Sequence, residues 1–404
     1  MRYSYICFLL FILPALYGKD WPNFGGPYRN QFSDEMGLKI NWGDEDPERL
    51  WKLEVGLGYS SVIEVDGLAY TQGNKNGRNT LYCVNAKTGD IVWKHSYPCE
   101  KAPKFFDGGS RSTPTIKDGF LYLCSHEGDF YALDAKSGSI LWTKNILKDF
   151  QGKRPMWGYS GSPLISGGNI IIETGSPTGS LICVKTENGE LVWKAGDSEA
   201  GYASPVLNES NEILIFNEFG LIIHDFKTGK IKKKYQHKTR YGINAAQPLI
   251  YENKIFVSSA YGKGAALIDF TKRVPGAIWE SESYSCQMAS LVRKGRYSFG
   301  IHGQAGGHSD QSKLFCLDLE TGKEKWNERG FGLGTVLLVR DHLVILSDNG
   351  ELCLAQATPD KFIEKARFQI LSGKNNWTPP TYINGRMYCR SSKGEWVCLK
   401  MGEE

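Results

Sequence analysis

The stretch LYCVNAKTGDIVWK, Leu81 to Lys94, returns as FYALDAKSGSILWTK from Phe130, LICVKTENGELVWK from Leu181 and LFCLDLETGKEKWNE from Leu314. Each copy has two short apolar segments around a polar turn, and a tryptophan four residues after the turn glycine. Asp134-Ala-Lys-Ser-Gly138 reads as a hairpin connection in which Gly138 takes the positive φ that side chains resist. Thr88, Ser137, Thr228 and Thr321 precede such a glycine and can bond the turn's own backbone. The tryptophan then falls on an outer strand, where its flat ring can wedge between neighbouring units.

Working outward, Trp51, Trp93, Trp142, Trp193, Trp279 and Trp326 fall in one register, with Lys233 in the same place between the fourth and fifth. A further unit has its equivalent position near Ala366, and successive units from Trp51 to Trp326 are 40 to 51 residues apart. That period is the length of a four-stranded propeller blade. In the second unit SRSTPTIKDG, FLYLCSHEG, DFYALDAKSG and SILWTK read as four successive strands. No long segment has helical periodicity, so the chain reads as all-β.

First strands are expected to start near Ser60, Ser112, Ser162, Ser204, Gln247, Ala289, Thr335 and Pro379, which makes eight blades of four antiparallel strands. Merging two weak units would give seven. The last unit lacks a fourth strand, and RLWKLEV (Arg49 to Val55) can supply it from the other end of the chain. Closure of this kind leaves no open sheet edge.

Composition agrees with a large folded core. Of 404 residues, 41% are hydrophobic and 12% aromatic. The net charge is +4 with Lys and Arg scattered, which argues against nucleic acid as a partner. Residues 1–18 read as a secretion signal, with Arg2 ahead of the apolar run Ile6 to Leu13 and small residues at Ala15 and Gly18. The run is too short to span a membrane. Cys7 lies inside it rather than at its end, so a lipid-anchored cysteine is not supported. Residues 19–48 form a leader and 49–404 the propeller, expected in the periplasm or secreted.

The D-x-x-T-G-x-x-x-W clause repeated around a ring resembles the PQQ-like (quinoprotein-type) propeller over about residues 49–401. The segment DWPNFGGPYRNQFS, Asp20 to Ser33, also resembles the W-P-x-F-R-G-P leader of such exported bacterial propellers, with Gly25 in place of the arginine. The resemblance implies one of two activities. One is dehydrogenation of alcohols or sugars with pyrroloquinoline quinone and calcium. The other is cofactor-free protein binding, as in the propeller of the outer-membrane β-barrel assembly machinery. Fold alone does not choose between them.

The quinoprotein alcohol dehydrogenases carry a vicinal disulfide, a calcium held by Glu, Asn and Asp, and a catalytic Asp. This chain has no adjacent cysteine pair. Cys83, Cys183, Cys316, Cys353 and Cys398 recur at one third-strand position, filled by Ala132 in the second blade, and read as packing residues too far apart to bridge. Cys99, Cys124, Cys286 and Cys389 stay unassigned. His302 and His308 flank a glycine-rich loop beside Asp310, and they read as loop histidines rather than metal ligands. Sequons occur at Asn208 and Asn376.

Residues just before each first strand ring one mouth of the channel. Tyr59, Arg111, Tyr159, Tyr202, Asn244 and Trp377 converge there from six blades, an array suited to a flat or anionic ligand. The plainer reading is ordinary blade packing. The sequence therefore favours an exported, monomeric, non-catalytic scaffold for a protein, peptide or small ligand, with no cofactor. The alternative is a quinone-dependent oxidoreductase with a degenerate site.

Overall fold

The computed structural model describes residues 20–43, 45–101, 106–307 and 311–402. Residues 1–18, read above as a secretion signal and including Cys7, lie outside them, as do His308 and Asp310. Eight sheets follow one another around a ring, seven with four consecutive antiparallel strands ordered from channel to rim and the eighth with three and a strand from the other end of the chain. In the second blade these are Thr115–Lys117, Phe120–Cys124, Asp129–Asp134 and Ile140–Asn145. Among the described residues the only α-helix is Ile146–Phe150, capped by Asn145, whose side chain accepts from the amides of Leu147 and Lys148.

Most first strands begin two or three residues later than the sequence suggests. They start at Thr115, Leu164, Val206, Leu249 and Thr381, each directly after a proline. A proline has no N–H to donate to the ladder, so pairing starts beyond it. The residues ahead of it join blades instead. The Ser61 amide donates to Thr113 Oγ1 (2.9 Å), Thr113 to Ser162 Oγ (3.0 Å), and Ser162 to Ser204 Oγ (2.9 Å). Gln247 repeats the bond to Ser290 Oγ at 3.2 Å. The recurring Ser and Thr are thus latches between neighbouring first strands.

The opening clause is a joint of the same kind at the rim. The Asp134 side chain accepts from the Ser137 amide (2.7 Å) and hydroxyl (2.8 Å), which tightens the turn. The indole N–H of Trp93 then donates to the Ala135 carbonyl in the next blade at 3.1 Å. The joint recurs as Trp51 to Ala86, Trp142 to Thr186, Trp193 to Phe226, Trp279 to Leu319 and Trp326 to Thr358, at 2.7 to 3.2 Å. The turn glycine is required twice over. Gly138 has φ +72°, and a Cβ there would lie 2.7 Å from the Trp93 ring. Gly89, Gly189, Gly229 and Gly322 press on the preceding blade's tryptophan in the same way.

The two departures from tryptophan follow the acceptor. After Lys233 the next blade has a longer connection, and the lysine Nζ donates to the carbonyls of Phe270 and Lys272. After Ala366 the next blade is the one closed by both chain ends, so no hairpin turn is there to receive an indole. Trp42 of the leader packs against Phe368 at that joint, edge-on at 5.4 Å. Trp142→Ala is expected to destabilise the ring by about 2 to 3 kcal/mol, below the full cost for a wholly buried ring because Trp142 is half-buried. Lys233→Ala should cost less than about 1 kcal/mol. Urea unfolding of the two variants checks the ranking, and equal midpoints would remove the joint's role.

Closure is as expected. Arg49–Glu54 pairs antiparallel with Glu395–Lys400, Trp51 opposite Cys398, and completes the eighth blade. Ahead of it, the leader crosses the far end of the ring. Trp21 pairs with Glu64 in blade one, and the Pro22 carbonyl accepts from Ile116 in blade two. Arg29 donates both terminal nitrogens to the Pro163 carbonyl ahead of blade three, at 3.1 and 2.5 Å. Phe32–Ser33 then lies parallel to Thr335–Val339 as a fifth, innermost strand of blade seven. The leader therefore occupies part of the channel at the end opposite the mouth residues.

Candidate functional site

Glycine-rich connections deliver the mouth residues, and their backbones decide which side chains meet. Gly58 has φ +145° and its strand pairs with Ser110, so Tyr59 and Arg111 come from adjacent, hydrogen-bonded segments. The Tyr59 amide donates to the Ser110 carbonyl at 2.7 Å. Tyr59 stacks on Trp377 with centroids 5.4 Å apart and planes 16° off parallel. Phe106, exposed on the loop between blades one and two, meets Trp377 edge-on at 4.9 Å. Asp107 of the same loop accepts from Ser392 Oγ at 2.8 Å and pairs with Lys393, which ties the loop to blade eight.

Arg111 is half-buried, and its Nε is buried without a partner. No hydrogen bond or ion pair links it to any described residue. Burial pulls its pKa down, and the electrostatic neighbours that oppose this are Tyr59 and Tyr202. Tyr59 and Tyr202 are thus the mouth side chains within electrostatic reach of Arg111. Burial pushes both phenols up to about 12, so they are neutral hydroxyls at physiological pH. Tyr202 meets Trp157 edge-on at 6.0 Å. Below them Arg390 is 1% exposed, donates to the carbonyls of Ser60 (2.8 Å) and Gly56 (3.0 Å), and has no carboxylate partner. Desolvation pulls its pKa down to about 9.

Two of the six expected mouth residues do not face the site. Tyr159 is buried between blades two and three, where its hydroxyl donates to the Thr174 carbonyl at 2.8 Å. It follows Gly158 at φ +81°, which turns the side chain into the core. Asn244 is fully buried and ties three segments together. Its amide donates to the carbonyls of Asn217 (2.6 Å) and His237 (3.0 Å), while its oxygen accepts from Ser259. The structure thus gathers Tyr59, Arg111, Tyr202 and Trp377. It adds Phe106 and Trp157, which no repeat alignment marks.

Other candidates resolve into structure. His302 Nδ1 accepts from the Ser285 amide at 3.0 Å. All nine described cysteines are free and buried. Asn376 is fully buried, its amide donating to the Asp348 carbonyl at 3.0 Å.

A calcium–quinone group can be tested against these side chains. Calcium takes six to eight oxygens, several from carboxylates. Two carboxyls act on Tyr202: Glu199, which is ion-paired with Lys153, and Glu173, with Asn217 next to it. Burial pushes Glu173 up to about 8, against the pull of the Gly201 amide and the Asn217 side chain, and its Oε1 has no partner. Among the described residues no three His, Cys, Asp or Glu side chains cluster. That donor set does not fit the group.

Fold and mouth together define an eight-bladed PQQ-like propeller with an aromatic, cationic channel entrance. The chain belongs to the family described as outer membrane protein assembly factor BamB, whose model matches residues 75–328. It is similar to the BamB of Kangiella koreensis, 24% identical over 51% of this chain and 49% of that protein. It is also similar to the quinoprotein alcohol dehydrogenase PedH of Pseudomonas putida, 29% identical over 66% of this chain and 45% of that protein. The chain spans a fifth to a half of the length of the curated relatives it matches. Among solved structures, BamB from Moraxella catarrhalis aligns with a TM-score of 0.62 and 16% identity, over 88% of this chain and all of that one. The quinohemoprotein alcohol dehydrogenase of Comamonas testosteroni aligns at 0.68 and 14%, over 95% and 81%. At these identities the solved structures speak for the fold alone.

Proposed function

We propose that this chain is an exported, monomeric, non-catalytic binding propeller. It takes an acidic group of a protein, peptide or small ligand at the mouth formed by Arg111, Tyr59, Tyr202 and Trp377. The observation that carries the reading is Arg111. It is desolvated, lies within electrostatic reach of two neutral phenols, and has no carboxylate partner among the described residues. A guanidinium held that way has its charge and fork available for a carboxylate brought by a ligand. The stacked Tyr59–Trp377 pair supplies a rigid apolar face beside it. Export is supported by the pattern of residues 1–18, and among the described residues no helix is long and apolar enough to cross a membrane. A protein partner is the favoured ligand, in keeping with the assembly-factor family.

Arg111→Ala should leave the melting temperature nearly unchanged, because no bond is lost with it. It should weaken binding of an acidic peptide by about 1.5 to 3 kcal/mol. Fluorescence anisotropy with an Asp- and Glu-rich peptide, together with a thermal melt, reads both quantities. A destabilised variant with intact binding would sink the proposal. The second reading, a quinone-dependent dehydrogenase, has the flat Tyr59–Trp377 face in its favour. An absorbance titration with pyrroloquinoline quinone and calcium decides it.

A further inference from the structure

The channel is open to a second ligand from the opposite end. The leader crosses blades one to three and reaches blade seven, but between it and the inner strands of blades two to six lies a cleft of about 1660 Å³. Ile116, Leu164, Val206, Leu249 and Leu291 form its apolar walls. Cavities that hold small ligands are commonly of several hundred Å³, so there is room for one with an apolar body.

Two buried polar side chains on this wall are incompletely partnered. Gln247 is 5% exposed, and neither its Oε1 nor its Nε2 has a hydrogen bond. Arg29 is 8% exposed. Its terminal nitrogens go to the Pro163 carbonyl, a neutral acceptor, and its Nε is buried without a partner. An amide and a guanidinium buried in this way carry an uncompensated cost unless something bonds them. The other charges of the cleft are largely matched: Glu212 with Lys232 at 2.6 Å, Glu252 with Lys254 at 3.0 Å, and Arg296 with Asp318 and Glu320. Among the described residues of the cleft, Arg29 is the buried cation left without a carboxylate.

We infer that this leader-side cleft is a binding site for a carboxylate with an apolar body. Arg29 reads the charge, the Gln247 amide donates to the second oxygen, and the first-strand side chains take the hydrocarbon. The site lies on the opposite face from Arg111 and stands whether or not the mouth binds an acidic partner. It also gives the leader a task beyond occupying the channel, since Arg29 is brought to the wall by that segment.

Octanoate is the probe, titrated into the full chain by calorimetry, with octylammonium as the control of opposite charge. One octanoate per chain is expected, with octylammonium binding at least tenfold more weakly. Gln247→Leu should weaken octanoate about tenfold while leaving the melting temperature equal or higher, because it removes an unpartnered buried amide. Three results would each overturn the site: no octanoate binding at millimolar concentration, equal binding of octylammonium, or octanoate binding that Gln247→Leu leaves unchanged.

Discussion

A chain lacking residues 20–56 should lose the whole ring cooperatively rather than fray at one blade. The deletion removes Arg49–Glu54, the outer strand of blade eight, together with the leader inside the channel. Trp396, Cys398 and Leu399, all at most 1% exposed, would lose their cover, and Trp396 would lose its edge-on contact with Trp51 at 4.9 Å. An uncovered apolar strand edge pairs with other chains, so aggregation should accompany unfolding. Size-exclusion chromatography and circular dichroism read the outcome. A soluble, monomeric truncation that melts at the parent's temperature would show that the ring does not depend on this closure.

The second large effect is expected at Glu64. This carboxylate is fully buried in the first strand of blade one, facing blade eight. It is ion-paired with Arg386, accepts from the Tyr388 hydroxyl at 2.5 Å, and accepts from Asn384 Nδ2 at 2.9 Å. Its backbone meanwhile holds Trp21 of the leader. Removing one partner of such a pair strands the other charge in a poor solvent. Glu64→Ala should therefore cost about 3 to 5 kcal/mol. The double variant Glu64→Leu with Arg386→Leu should recover much of that loss, because replacing both charges by apolar groups avoids the stranded ion. Urea denaturation of the three proteins measures it. A double variant no better than Glu64→Ala would mean that hydrogen bonds, not charge burial, set the cost.

Most of this architecture was readable because the clause around Trp93 states a joint, and a joint must repeat wherever blades meet. Tryptophan register alone placed the blades, and the open last unit pointed to Trp51 as its closing strand. Even Ala366, the one position with neither tryptophan nor lysine, has its reason in that closure. The mouth was less legible. Aligning Gly58, Gly158 and Gly201 gives the place of the tyrosine after each but not its rotation. Gly58 and Gly158 adopt different positive φ values and Gly201 none, and it is Tyr59 and Tyr202 that lie within electrostatic reach of Arg111 while Tyr159 turns inward. Asn244 aligns with the mouth residues, but its bonds to Asn217, His237 and Ser259 are set by how blades four and five pack and leave no mark in the alignment. The leader's course had no periodic signal at all. Trp21, Arg29 and Phe32 each meet a different blade, a pattern that exists only once the ring does.

The pairing of Arg49 with Leu399 also sets a clock. These residues stand 350 positions apart, so one of the first strands made waits for nearly the last. At ordinary synthesis rates of about 5 to 20 residues per second, that wait is roughly 20 to 70 s. Throughout it, Trp51 and Leu53 have no partner strand, and blades one to seven can form but cannot lock. Contacts so distant along the chain also slow the final step once the partner has emerged. A newborn chain of this protein therefore passes through a long-lived, nearly complete and sticky open ring. Any helper that attends its maturation has most reason to hold the residues around Trp51 until the far end arrives.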